Sequence, residues 1–152
     1  MSPALAAFWA HFCKATGHDG APFDVFPFGD DPQMADDLLA LILSERKQAT
    51  ATRLKVYELE GFARPPAPGD LSLVLDGKGE PACVIEATQV DLVPFDEVSA
   101  DFAFVEGEGD RSLAYWRRVH LAYYGRECAR EGSIFDRKEL IVCERFKLVW
   151  VT

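Results

Sequence analysis

No stretch of this sequence approaches the ~20 consecutive apolar residues that a membrane-spanning helix needs, so no membrane partner is expected. The first residues, Met1 to Ala15, lack a basic leader and carry His11 and Lys14 inside their apolar run. They do not read as a signal peptide. Cysteine is scarce. Cys13, Cys83, Cys128 and Cys143 form no CxxC pair and no Cys/His cluster, which argues against a zinc site, and no metal or cofactor is expected. All four read as free thiols in a reducing cytoplasm. Cations are also few: 16 Lys and Arg stand against 25 Asp and Glu, a net charge of −9. That balance argues against broad, nonspecific binding to nucleic acid, which depends on cations meeting phosphates. Internal repeats, low-complexity tracts and a strand-helix-strand alternation are absent as well.

What remains is a 152-residue chain, 49% hydrophobic and 27% charged, long enough to bury one core without metals or disulfides. It is read as a single domain over 1–152, with 1–27 as an N-terminal helical extension packed on the rest. Apolar residues at helical spacing predict a helix over Pro3–Ala15, stopped by Gly17. The segment APFDVFPFGDDP reads as an aromatic loop. Met34–Ser44 reads as a helix capped by Asp30 or Asp31, with Pro32 in its first turn. Threonines make the following stretch a poor helix, and a short helix is expected over Arg53–Glu60. Leu71–Asp76 and Pro81–Val93, joined by a Gly-bearing turn, predict a β-hairpin. A short helix near Ser99 precedes the acidic loop Glu106–Asp110. Arg111–Glu131 is the strongest helix, with its apolar stripe through Leu113, Trp116, Val119, His120, Tyr123 and Tyr124. Two strands, ELIVCE and FKLVWV, end the chain. The class is α+β, with a mixed or antiparallel sheet closing toward a small barrel flanked by helices.

The charge is unevenly placed. Residues 1–110 hold 7 Lys and Arg against 20 Asp and Glu, whereas residues 111–152 hold 9 against 5. Four of those seven cations fall between Arg46 and Lys55, where Lys47 and Thr50 stand three residues apart. A threonine hydroxyl is a poor nucleophile unless a base takes its proton, and a lysine of depressed pKa can be that base, helped by a neighbouring cation such as Arg46. A lysine at a helix C-terminus also complements the helix dipole, and threonines also cap turns. In the acidic loop, Glu106, Glu108 and Asp110 alternate with Gly107 and Gly109. Either glutamate can orient a lysine; the same loop also reads as a cap before a helix. Arg111 and Trp116, with nearby arginines and tyrosines, can meet phosphates and stack bases, while on a helix Trp116 also reads as core. His120 reads as a core histidine. The aromatic loop with Phe23, Phe26, Phe28 and Gly29 offers a pocket wall for a planar ligand, or packing over the open end of the sheet.

Together, FGD (28–30), MADDLLALIL (34–43), RKQATAT (46–52), the DGKGEP turn (76–81), EGEGDRSLAYWR (106–117) and CERF (143–146) resemble the bacterial ASCH-domain proteins from about Phe28 to Val151. The resemblance implies a PUA-like β-barrel with a cleft between barrel and helices that takes RNA or a modified nucleoside. Some smaller members of the family hydrolyse acetylated cytidine with a Lys/Thr/Glu set, and others are ribonucleases. Carried over by motif, Lys47 is the base, Thr50 the nucleophile, and Glu106 or Glu108 the carboxylate. Thr52, Tyr57, Asp110 and Arg145, in or beside the matching segments, join Phe28, Gly29, Arg46, Arg111 and Trp116 as expected ligand contacts. Three functions follow: a metal-independent amidohydrolase of acylated cytosine nucleosides, a non-catalytic RNA-binding module, and a ribonuclease. The oligomeric state stays open between monomer and homodimer.

Overall fold

Ser2 opens the first helix in the computed structural model, which describes residues 1–151. Its hydroxyl accepts from the Leu5 N–H, Pro3 sets the first turn, and α1 (Pro3–Thr16) ends at Gly17, whose φ of 76° no larger residue adopts freely. The buried face of α1, Phe8, Trp9 and Phe12, packs on Leu73 and Val84. Asp31 accepts from the Met34 N–H and starts α2 (Pro32–Leu43), again with proline at the first position. A short α3 (Leu54–Leu59) follows later in the chain. Ser99 caps α4 (Ala100–Glu106), and Ser112, rather than Asp110, caps α5 (Leu113–Arg130).

Five strands are formed among the described residues: β1 (Asp24–Pro27), β2 (Ala49–Arg53), β3 (Leu71–Leu75), β4 (Pro81–Pro94) and β5 (Leu140–Val151). Their order is β1-β3-β4-β5-β2, with β1 parallel to β3 and the other neighbours antiparallel. The sheet is mixed, as expected, and curls into a half-barrel rather than closing, so β1 and β2 are its edges. None of the described helices is long and apolar enough to cross a membrane.

Three elements differ from the sequence reading. The aromatic loop contains β1: its proline ends an edge strand, where a missing N–H interrupts no central ladder. The threonine-rich segment is β2, because alternating β-branched residues suit a pleated edge better than a helix. The last two strands are one, β5, which runs unbroken through Arg145. Irregular register in β4 at Val84/Ile85 and Ala87/Gln89 absorbs the curl of that long pair.

Two apolar layers hold the sheet. Ile42, Leu38, Leu39 and Phe28 pack on Val74, Cys83, Ile85 and Phe146. Phe102, Trp116 and Tyr124 pack with Phe95 on Ala49, Ile141 and Cys143. Arg53 locks β2 to α5. It is 2% exposed, and it donates to Glu139 at 2.9 Å, to Glu127 at 3.1 Å, and to Glu131 at 2.9 and 3.1 Å. Arg53→Ala leaves these carboxylates clustered without their cation. It is expected to lower stability by about 3 kcal/mol, read as a shift of the urea midpoint. A midpoint equal to that of the wild type would contradict this.

Candidate functional site

A cavity of about 330 Å³ opens between the half-barrel and the helices, a size ordinary for small-molecule sites. β2 and β5 supply Thr50, Thr52 and Glu144; α3 and its C-terminal cap supply Tyr57 and Glu60; β1, the turn after it and the start of α2 supply Asp24, Phe26, Phe28, Gly29 and Met34; α5 supplies His120, Tyr123 and Glu127. At one end lie Lys47, Glu106 and Glu108.

Lys47 is 2% exposed, and its ammonium donates to the Ala49 carbonyl, to Glu106 Oε2 and to Glu108 Oε2, each at 2.8 Å. All three of its protons are therefore committed. Burial pulls the lysine pKa down, but the carboxylates of Glu106 and Glu108 more than offset it and hold the group above its ordinary value. Glu106, 1% exposed, also receives the Trp116 indole N–H at 2.8 Å and faces His120 Nε2 at 3.2 Å. Burial pushes this carboxyl up, yet Lys47 and His120 keep it well below the usual carboxylate range. Glu108 differs. Burial and the Glu106 charge beside it outweigh Lys47 and raise it to about 7. His120 Nδ1 lies 2.9 Å from the Trp116 carbonyl, which can only accept, so that nitrogen carries a proton. Burial lowers the imidazole pKa, but Glu106 raises it by more, which favours the imidazolium.

Backbone geometry fixes this cluster. Glu106 ends α4, and Gly107 turns the chain at φ 75° against the Arg46 carbonyl, where a Cβ would collide. Arg46 donates to the carbonyls of Gly107 at 2.9 Å and Gly109 at 2.8 Å, and the Gln48 N–H donates to the Val105 carbonyl at 3.0 Å. The basic and acidic segments, far apart in sequence, are thus stitched together.

The structure brings Phe28, Gly29, Lys47, Thr50, Thr52, Tyr57, Glu106 and Glu108 to the cavity wall, but not Arg46, Asp110, Arg111, Trp116 or Arg145. Each of these five has another physical role. Arg46 holds the acidic loop, and Trp116 lies buried behind Glu106, stacked on His120 with centroids 4.2 Å apart. Asp110 accepts from the Ser112 N–H at 2.9 Å, Arg111 lies 3.7 Å over the Phe104 ring, and Arg145 lies 5.9 Å from the Phe102 ring. Several wall residues were not anticipated, and three of them are informative. His120 sits on the apolar stripe that marks core. Asp24 stands in a segment that reads as loop. Glu144 stands within CERF, and its signal is a lone carboxylate in an apolar strand.

Ligand atoms of Glu106, Glu108 and His120 all lie within 4.8 Å of one another, a grouping no sequence spacing reveals. The Lys47 ammonium already stands between the two carboxylates as their cation.

Glu144, 7% exposed, is held near 7 by burial and by Asp70 and Asp24. Its folded pKa thus lies above the unfolded 4.5, so the folded state keeps the proton longer. Stability therefore falls as pH rises from 4.5 to about 7, by about 3 kcal/mol. Glu144→Gln is expected to raise the thermal midpoint at pH 8 and not at pH 5; an equal gain at both values would contradict the assignment.

A family model for the ASCH domain matches residues 24–150. The crystal structure of a protein from Enterococcus faecalis has a TM-score of 0.89 and 33% identity, covering 98% of this chain and 90% of that one. The ASCH domain from Lactobacillus crispatus has a TM-score of 0.86 and 32% identity, covering 97% of this chain and 95% of that one. A hypothetical protein at 15% identity and a TM-score of 0.54, over 83% of this chain and 98% of that one, shares the fold alone. No curated protein matches. With the family model and two relatives spanning nearly its whole length, and with a half-barrel of the PUA-like class, this chain belongs to the ASCH-domain family.

Proposed function

We propose that the cavity binds a modified pyrimidine nucleoside and that Thr50, Lys47 and Glu106 hydrolyse its N-acyl amide. The observation that carries this reading is the convergence of Lys47, Thr50, Glu106 and Glu108 on one aromatic-walled cavity. Phe26, Phe28 and Tyr57 supply faces for a planar base. The cavity also carries six carboxylates, Asp24, Glu60, Glu106, Glu108, Glu127 and Glu144, against Lys47 and His120. Such a wall repels phosphates, which favours a nucleoside over a polynucleotide. The RNA-binding reading draws on the cationic 111–152 segment and the aromatic loop, and Arg111 and Arg145 of that segment lie outside the cavity wall.

The proton route follows from the ion cluster. Lys47 enters as an ammonium and must shed a proton before it can act as base. Glu108, its carboxyl near 7, accepts that proton. The neutral amine then takes the Thr50 hydroxyl proton as Oγ1 attacks the acyl carbon. The amide C–N bond breaks, Lys47 returns its proton to the departing nucleoside amine, and water, activated the same way, cleaves the threonine ester. Glu106, fixed by the Trp116 indole N–H and by His120, keeps Lys47 in place throughout.

Incubation with N4-acetylcytidine is expected to release cytidine, followed by chromatography. Thr50→Ala is expected to lower kcat at least ~100-fold with little change in affinity, as for loss of a nucleophile. Absence of turnover by the wild type, or full turnover by Thr50→Ala, would sink the reading.

A further inference from the structure

The cavity is electrostatically lopsided. Its two cations, Lys47 and His120, are both engaged with Glu106 and Glu108 at one end. Glu127 is paired with Arg53. Asp24, Glu60 and Glu144 also face the cavity, and none of the three forms an ion pair among the described residues. Glu144 is the deepest of them. It is 7% exposed and lines the cavity, and its side-chain carboxylate has no hydrogen-bond partner among the described residues. The charged groups that act on it, Asp70 and Asp24, are both acidic. Its oxygens open to the cavity, so water serves them when the site is empty. A largely buried carboxylate with no cation beside it is completed best by a ligand that brings positive charge.

Its position says which part of the ligand it meets. Glu144 on β5 is the direct antiparallel partner of Thr50 on β2. Opposed residues of such a pair share a face, with Cβ atoms about 4.5–5.5 Å apart. An amide whose carbonyl carbon is presented to Thr50 Oγ1, with its acyl arm turned toward β5, places the next atoms of that arm within reach of the Glu144 carboxylate. An acetyl group offers only a methyl there, which leaves the carboxylate without a cation. An aminoacyl group offers an ammonium, which supplies both charge-assisted hydrogen bonds and the missing positive charge.

We infer that Glu144, backed by Asp24, forms a subsite for a cationic acyl arm, so that the substrate class is an aminoacylated, rather than acetylated, nucleoside amide. This rests on the nucleoside-amide reading above and adds a specificity to it. The base and Thr50 serve the amide common to both substrates; Glu144 distinguishes the arms.

The test compares two ligands that differ by one amino group, N4-glycylcytidine and N4-acetylcytidine. Binding is measured by calorimetry on the full chain carrying Thr50→Ala, so that neither is consumed. The glycyl compound is expected to bind at least ~10-fold more tightly, the increment of one charge-assisted contact. Adding Glu144→Gln, which keeps the shape and is checked for folding by its thermal midpoint, is expected to bring the two affinities within about twofold. Raising the salt concentration should weaken the glycyl compound alone. Equal binding of the two ligands overturns the inference and leaves the nucleoside reading standing. So does a glycyl preference that survives Glu144→Gln. Absence of binding by either ligand overturns both.

Discussion

An ammonium group taken out of water must regain every hydrogen bond and a compensating charge, and the architecture around Lys47 is organised by that demand. The carbonyl of nearby Ala49 and two carboxylates from far along the chain replace its hydration. Glu106 and Glu108 come from the junction of α4 and α5, and they reach Lys47 because Gly107 lets two backbones approach and Arg46 ties the loop down. Trp116 and His120 then have fixed places as well, since Glu106 has a second oxygen to satisfy. A buried ion pair of this kind is weak evidence for stability, because dehydration consumes most of the attraction. Its consequence is specificity of arrangement: the chain cannot shift one member without stranding a charge.

The same cluster divides the cavity. Where the carboxylates have cations, they titrate apart, Glu106 far down and Glu108 up to about 7. Closely spaced acids in unequal environments separate in this way, which leaves one fixed anion and one group able to exchange a proton near neutrality. Where the carboxylates have no cation, around Glu144, burial and like charge keep the carboxyl up as well. Two carboxyls able to exchange a proton near neutrality thus line the cavity, one beside Lys47 and one with only acids around it, and Thr50 on β2 stands opposite the second.

Much of the frame was legible in the sequence because it rests on local rules. Helix starts near Asp31, Ser99 and Ser112 follow from capping chemistry, and the hairpin follows from alternation around a Gly-bearing turn. β1 and β2 were not legible, since edge strands gain their order from pairing with distant neighbours and not from their own composition. The candidate site shows the same division. Lys47, Thr50 and the two glutamates stand out by spacing and by motif. His120 is hidden by the helical stripe it shares with Trp116 and Tyr124, and only the fold shows that this stripe borders both core and cavity. Trp116 carries the opposite lesson: an aromatic among cations reads as a base-stacking residue, yet its indole is spent on Glu106.

Glu144 shows why a residue of this kind resists both readings of a chain. In sequence it is one acid inside an apolar strand, which ordinary patterning treats as a solvent-facing position of the alternation. In the fold it is buried, and burial without a cation works against stability as soon as pH passes its unfolded 4.5, in full above its folded pKa. A chain that only needed to fold would gain from glutamine there. The surrounding geometry instead keeps the carboxylate opposite Thr50 and adds Asp24 near it, deepening the unfavourable charge. Strain of this sort is relieved when something arrives that the folded chain lacks, and at this end of the cavity the missing component is positive charge.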